Sequence, residues 1–289
     1  MNKVLIVGTG LIGASVGLAL KANGFEGEVA GWDANAAELT KALEIKAIDR
    51  ALDRREAVLE TDADVVILAT PVLPILDWMT QLAPMLTETQ LVTDVGSTKG
   101  EITALASKLF NQAGKARFLP GHPMAGKESG GAALAEAELF RGATWLYCTG
   151  PGWAPGGELE MDWRKWVVRF GAVMRELDPA RHDEVCAWVS HLPQMLSTAL
   201  SAELQDRFAD DREGLAAVQA IGGRALREMT RLGASPYSMW RDVAMTNTKV
   251  IADTLAAMEQ RLAHVRENLK TPELRDEFAK ANEFRAKQR

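Results

Sequence analysis

Cysteine is scarce in this sequence. Cys148 and Cys186 are far apart and match no C-x-x-C spacing, which excludes a disulfide scaffold and a cysteine-built zinc or redox centre. Both are expected as packed thiols in a reducing compartment. Positive charge is also in short supply, with 33 Lys and Arg against 39 Asp and Glu for a net charge of −6. That balance argues against general attraction to nucleic acid or an anionic membrane, and leaves local cations free to hold small anions. No apolar run approaches the roughly 20 residues that cross a bilayer. The start, MNKVLIVGTG, runs directly into an apolar strand and glycine without the layout of a signal peptide. A cytoplasmic protein with a small-molecule substrate is expected, with no nucleic acid and no membrane partner. There is no fixed-period repeat and no low-complexity tract.

What is present divides into two halves, and 289 residues suffice for one large or two ordinary domains. Up to about residue 150, short apolar strands alternate with helical segments: VLIVG, EVAGWD, DVVILAT, QLVTDVG, ARFLPG and ATWLYC. Strands apolar nearly throughout are those of a parallel sheet covered on both faces, so the alternation predicts a right-handed, doubly wound α/β sheet. The Gly/Pro-rich stretch GPGWAPGGE, 150–158, marks the expected boundary between a unit of residues 1–152 and one of residues 153–289. Beyond it the pattern reads as all-helical, with no strand. SPYSMW reads as a helix start, with Ser235 as N-cap and Pro236 at the first helical position. Helices this long call for a partner surface, and a homodimer is expected.

The first strand ends in GTGLIGAS. Gly8 allows the tight turn, Gly10 lets backbone approach a pyrophosphate, and Gly13 permits close packing of helix on strand. With Leu11 and Ile12 between them, these residues open a helix whose free N–H groups and positive dipole end suit phosphates. Asp33 ends the second strand 20 residues after Gly13, where a carboxylate accepts hydrogen bonds from a ribose. Glycine used only for chain reversal, with Asp33 capping the helix of ANAAEL, is the plainer alternative. A carboxylate at position 33 would repel a 2′-phosphate, so NAD is expected over NADP.

Ligands of an open α/β sheet lie beyond the carboxyl ends of its strands. Those ends carry Thr70 and Pro71, then Asp94 through Lys99 with Ser97, then Pro120, Gly121 and His122. Oxidation of an alcohol moves a hydride from carbon while a base takes the hydroxyl proton. An imidazole, with an ordinary pKa near ~6.5, suits that base. His122 is therefore the candidate base in an irregular loop, with Ser97 beside it to orient the ring or bond a carboxamide. A loop histidine bonded to backbone is the plainer reading.

Taken in order, GTGLIGAS, DVGSTKGEI, LPGHPMAGKESGG, VSHLPQ and TRLGASPYSMWRD resemble the prephenate/arogenate dehydrogenases of tyrosine biosynthesis. The resemblance covers nearly the whole chain and implies a Rossmann domain followed by a helical dimerisation domain. It implies a cyclohexadienol substrate, with His122 taking the C4 hydroxyl proton as hydride leaves for NAD. Loss of CO2 then makes the ring aromatic, so no metal is called for, and the four histidines show no metal-ligand spacing. By family position Arg231 holds the ring carboxylate, with Arg227 a second candidate one turn earlier. The plainer reading makes both surface arginines. His191 is a substrate contact or a satisfied core histidine, and Glu128, Glu228 and Trp240 stand where some relatives gate the site. Gln194 departs from the S-H-L-P-H of many relatives selective for prephenate. An amide both donates and accepts, which leaves the keto-acid and amino-acid side chains both open. A 3-hydroxyacid dehydrogenase or imine reductase of similar layout, and a non-catalytic NAD sensor, are the competing classes.

Overall fold

The computed structural model describes residues 1–127, 129–150 and 156–287. Six strands form one parallel sheet: β1 (Lys3–Val7), β2 (Glu28–Trp32), β3 (Arg50–Ala51), β4 (Val65–Leu68), β5 (Leu91–Asp94) and β6 (Arg117–Leu119). Their order is 3-2-1-4-5-6, the doubly wound arrangement predicted. Alternation along β1 explains why both faces are covered. Val4 and Ile6 enter one apolar core with Val16, Leu20 and Ile67, while Leu5 and Val7 enter a second with Val66, Ile75 and Trp78. The connecting helices are α1 (Leu11–Ala22), α2 (Ala36–Glu44), α3 (Glu56–Leu59), α4 (Val72–Leu82) and α5 (Gly100–Leu109).

The segment ATWLYC does not join that sheet. A second sheet contains β7 (Gly121–Pro123), β8 (Thr144–Tyr147) and β9 (Val173–Glu176), with β7 antiparallel and β9 parallel to β8. His122 thus lies in a short strand, not in an irregular loop. Pro120 brings the change of sheet about: it has no N–H for the first ladder, and its carbonyl accepts from Cys148 N at 3.0 Å.

Strand β9 corrects the expectation that only helices follow the Gly/Pro-rich stretch. It is four residues long and largely exposed, so no apolar alternation announces it. Gly171, at φ +81°, turns the chain out of the preceding helix α6 (Glu158–Arg169) and into β9. Trp163 of α6 and Phe170 close against Trp145 of β8, with ring centroids 6.0 and 6.4 Å away. Arg164 binds both Glu160 and Glu176, tying α6 to β9. Of the Gly/Pro-rich stretch itself, residues 151–155 lie outside the described residues.

The remainder is helical: α7 (Pro179–Cys186), α8 (Leu192–Phe208), α9 (Arg212–Ile221), α10 (Gly223–Thr230), α11 (Tyr237–Thr246), α12 (Thr248–Glu267) and α13 (Pro272–Ala286). A π-helical turn, Ala187–His191, joins α7 to α8. Pro193 follows it and has no N–H for the ladder, which accounts for the local widening. Helix α11 begins one residue later than expected, because Pro236 has an extended ψ of 134° and is itself the cap, displacing Ser235. The helical half docks through Leu73 N to Asp242 Oδ2 at 3.1 Å and Thr98 Oγ1 to Thr246 Oγ1 at 2.7 Å. These contacts set α11 over the carboxyl ends of β4 and β5. Among the described residues, no helix is long and apolar enough to cross a membrane.

Candidate active site

The glycine-rich turn behaves as its spacing predicts. Gly8 has φ +97°, and a Cβ on Gly13 would stand 1.9 Å from Gly8 O, so α1 lies on the turn with no room for a side chain. A Cβ on Gly10 would meet nothing within 4 Å, so this backbone borders open space where a pyrophosphate fits. Beside it runs a cleft of about 590 Å³ lined by Gly8, Gly10, Trp32, Asp33, Thr70 and Pro71 among others. Asp33 accepts from Thr9 N at 2.7 Å and Asn35 N at 2.8 Å, which orients its carboxylate. The cap of α2 is Asn35, bonded to Ala37 N at 3.0 Å, so Asp33 is not spent as a helix cap. Arg55 also enters this cleft, paired with Asp77 and stacked 4.3 Å over Trp78. Sequence reading missed it because Arg55 lies far along the chain from the glycine turn.

A second cavity, of about 310 Å³, shares Thr70 and Pro71 with the first. Leu11, Ile12, Ser97 and His122 line it, with Lys127 from the histidine segment and Met239 and Val243 from α11. His122 is therefore brought against the dinucleotide turn and Ser97, as the strand-end argument predicts. Asp94 fixes the position of β7. It forms a fully buried ion pair with Lys99 and accepts from Gly96 N at 2.8 Å and Gly121 N at 3.0 Å. Only glycine fits at 121, since a Cβ there would stand 2.7 Å from Asp94 O.

The contact that orients His122 comes from a residue sequence reading passed over. His122 Nδ1 lies 2.9 Å from His182 Nε2, and His182 Nδ1 lies 2.8 Å from Asp183 Oδ1. Asp183 also accepts from Lys99 N at 2.7 Å and Gly100 N at 2.8 Å, at the start of α5. Cys186 Sγ approaches His182 Nε2 at 3.6 Å. Burial, with the charges of His182, Lys99 and His191, holds His122 well below the usual histidine range. Burial also pushes the Cys186 thiol up to about 12. The available signal was the pair His182-Asp183 inside a helix, which by itself reads as solvated.

Two of the four histidines thus converge with Cys186, their ligand atoms within 4.8 Å of one another, which spacing along the chain did not reveal. A 2.9 Å separation between ring nitrogens is that of a hydrogen bond. Two nitrogens on one tetrahedral zinc stand roughly 3.3 Å apart, from Zn–N bonds of about 2.0–2.1 Å.

The remaining candidates, Glu128 apart, do not line the His122 cavity. Gln194 and Trp240 line an apolar pocket of about 540 Å³ with Gly233, Tyr237 and Met245. Gln194 is buried; its Nε2 donates to Leu232 O at 2.7 Å and Thr198 Oγ1 at 3.1 Å. Leu232 O can only accept, so the amide orientation is settled, and Oε1 remains a buried acceptor without a partner among the described residues. His191 is buried, 3.4 Å from Asn247 Nδ2 and edge-to-face with Trp240, and burial lowers its pKa to about 4. These are the contacts of a core histidine. Arg227 and Arg231 are exposed in this chain, in α10 and the 3-10 turn Arg231–Ala234, and neither lines the His122 cavity. Glu228 is exposed and paired with Arg224 at 2.6 Å. Glu128 lies outside the described residues.

Residues 16–152 match the family model for the nucleotide-binding domain of prephenate dehydrogenase, and residues 178–282 match that for its dimerization domain. A prephenate dehydrogenase of Lactococcus lactis is 33% identical over 266 residues, covering 92% of this chain and 70% of that protein. Two solved structures have similar folds. One is the prephenate dehydrogenase of A. aeolicus in complex with hydroxyphenyl propionate and NAD+, with TM-score 0.86, 28% identity, and coverage of 100% and 97% of the two chains. The other is the arogenate dehydrogenase of Synechocystis, with TM-score 0.77, 29% identity, and coverage of 99% and 100%. This chain belongs to the prephenate dehydrogenase family.

Proposed function

We propose that this chain is an NAD-dependent dehydrogenase that oxidatively decarboxylates prephenate to 4-hydroxyphenylpyruvate in tyrosine biosynthesis. One observation carries the reading: His122 shares a cavity wall with Ser97 and with the dinucleotide-turn residues Leu11, Ile12, Thr70 and Pro71. NAD, when bound, supplies the acceptor for the hydride. The turn at Gly10 and the carboxylate of Asp33 hold its pyrophosphate and ribose. Ser97 and His122 bond the carbinol, and His122 takes the hydroxyl proton. Its depressed pKa keeps the ring neutral, and so able to accept, at neutral pH. Arg231 is assigned the ring carboxylate and Arg227 a supporting charge, while Trp240, Glu228 and Glu128 shape access. Because Arg231 lies outside the His122 cavity in one chain, its assignment rests on the family motif alone.

Gln194 favours arogenate as a second substrate. If it faces the substrate side chain, as its motif implies, the amide presents only an acceptor there. An acceptor suits the ammonium of an amino acid better than the carbonyl of a keto acid. The enzyme is further assigned as a cytoplasmic homodimer, dimerising through its helical half. The support is the dimerization-domain match and the exposed apolar side chains of that half, among them Ile221, Tyr237 and Phe278. We place the boundary between the two units near Asp178, after β9, because α6 and β9 are built into the N-terminal core.

The test is NADH production from prephenate and arogenate side by side, in the parent and in His122→Asn. Turnover of either compound that disappears in the variant, with NAD binding retained, is expected. An unchanged rate in the variant removes the catalytic assignment and returns the sensor reading.

A further inference from the structure

The chain of contacts behind His122 constrains where its protons lie. Asp183, as a carboxylate, can only accept. Both its oxygens are held by backbone donors, Lys99 N on Oδ1 and Gly100 N on Oδ2. His182 Nδ1, 2.8 Å from Oδ1, must then carry a hydrogen, since a lone pair there would face an anion. In the neutral ring this leaves His182 Nε2 as an acceptor. Two groups face that atom, His122 Nδ1 at 2.9 Å and Cys186 Sγ at 3.6 Å. The thiol stays protonated at neutral pH, its pKa raised to about 12 by burial, so it is a donor as well. His122 must therefore carry its hydrogen on Nδ1, with the lone pair on Nε2.

We propose that His182 and Asp183 are positioning residues that fix His122 as the Nδ1–H tautomer and share the positive charge it acquires. The proposal rests on His122 being the base. As the substrate O–H breaks, its proton forms a bond to His122 Nε2. The hydride leaves the carbinol carbon for bound NAD+. The new imidazolium donates from Nδ1 to His182 Nε2, and His182 donates in turn to Asp183. One added proton is thereby held by two rings and one carboxylate, while the nearby buried cation of Lys99 is paired with Asp94.

The geometry also makes Asp183 a bridge. Its side chain caps α5 of the NAD-binding half, while its own helix, α7, opens the substrate half. Asn247 Nδ2 donates to the Asp183 carbonyl at 3.0 Å, fixing the backbone of the bridge from the junction of α11 and α12.

Two measurements test the proposal. The first uses the unaltered enzyme: ¹⁵N NMR of histidine-labelled protein at neutral pH should find His122 and His182 each protonated on Nδ1. A proton on His122 Nε2 overturns the assignment. The second is Asp183→Asn, which keeps the size of the side chain but removes the charge. Its amide must also set an N–H against that of Lys99 or Gly100. The expected result is a kcat loss of roughly 10- to 100-fold, the factor corresponding to a charge-assisted hydrogen bond, with the Kd for NAD+ unchanged. The acid limb of the pH–rate profile should move to lower pH, because the imidazolium has lost its anion. A purely structural role would not move that limb, so an unmoved limb overturns the charge-sharing role. If the variant does not fold, the NMR result on the parent decides. Loss of turnover in His122→Asn together with an unaffected Asp183→Asn sinks this proposal and leaves the dehydrogenase standing. An active His122→Asn removes both.

Discussion

At the scale of single residues, the candidate site is assembled in two ways, by strand and helix ends that the sheet topology gathers and by side chains that docking of the helical half brings in. His122, Ser97, Gly8, Gly10, Gly13 and Asp33 each end a strand or open a helix, and topology alone brings such ends together. His182 and Asp183 lie 60 residues from their partner, on a helix where a His-Asp pair has the look of an outer face. Their burial follows from docking, which no local pattern encodes. Three predictions belong here. Since the His122 pKa is held well below 6.5, the neutral base is present across neutral pH and is lost only as pH falls. The kcat/KM profile should be flat near pH 7 and fall through a single ionisation on the acid side, with its midpoint below 6.5. A midpoint above that value would contradict the geometry. Gln194→His introduces a ring able to donate, and the ratio of kcat/KM for prephenate over arogenate should rise. An unmoved ratio would place the side-chain contact elsewhere. Gly10→Ala adds a methyl that meets no protein atom. The stability of the apo protein, followed through Tm, should change by no more than roughly 1 kcal/mol, the scale of an N-cap exchange, while NAD affinity should collapse.

At the scale of elements, the long strands and helices were readable because burial on two faces leaves continuous apolar runs. The short pieces were not. β3 has two residues, β7 three, and β9 is exposed, so none carries enough periodicity to separate strand from helix or loop. The consequence is that the boundary we propose, after β9, is later than the one composition suggests. Trp163, Val167 and Phe170 are buried against β8, and β9 completes its sheet. A fragment of residues 1–177 should fold cooperatively and bind NAD. A fragment of residues 1–152 exposes Trp145, Phe140 and Tyr147, and should be insoluble or lack a sharp thermal transition. Equal stability of the two by circular dichroism would count against the later boundary.

At the scale of the molecule, the helical half was recognisable as helical, and the homodimer proposed for it has an exposed surface to use. Its helices α9, α10 and α13 bury no residue within one chain. Sedimentation should give twice the 31.4 kDa chain mass. Ile221→Asp, which charges a side chain 83% exposed in the single chain, should shift the protein toward monomer and lower Tm without disturbing NAD binding. A parent enzyme that sediments as a monomer would remove the assigned assembly.

The seam between the halves has one more effect. The donors that hold Asp183 are the amides of Lys99 and Gly100, so any opening that pulls α7 from α5 also slackens the anchor behind His182 and His122. An opening there would leave the imidazole without its brace. Hydrogen exchange at those two amides, slowed by NAD and substrate together, would follow the latch directly. Exchange insensitive to both ligands would show that the seam does not move in turnover.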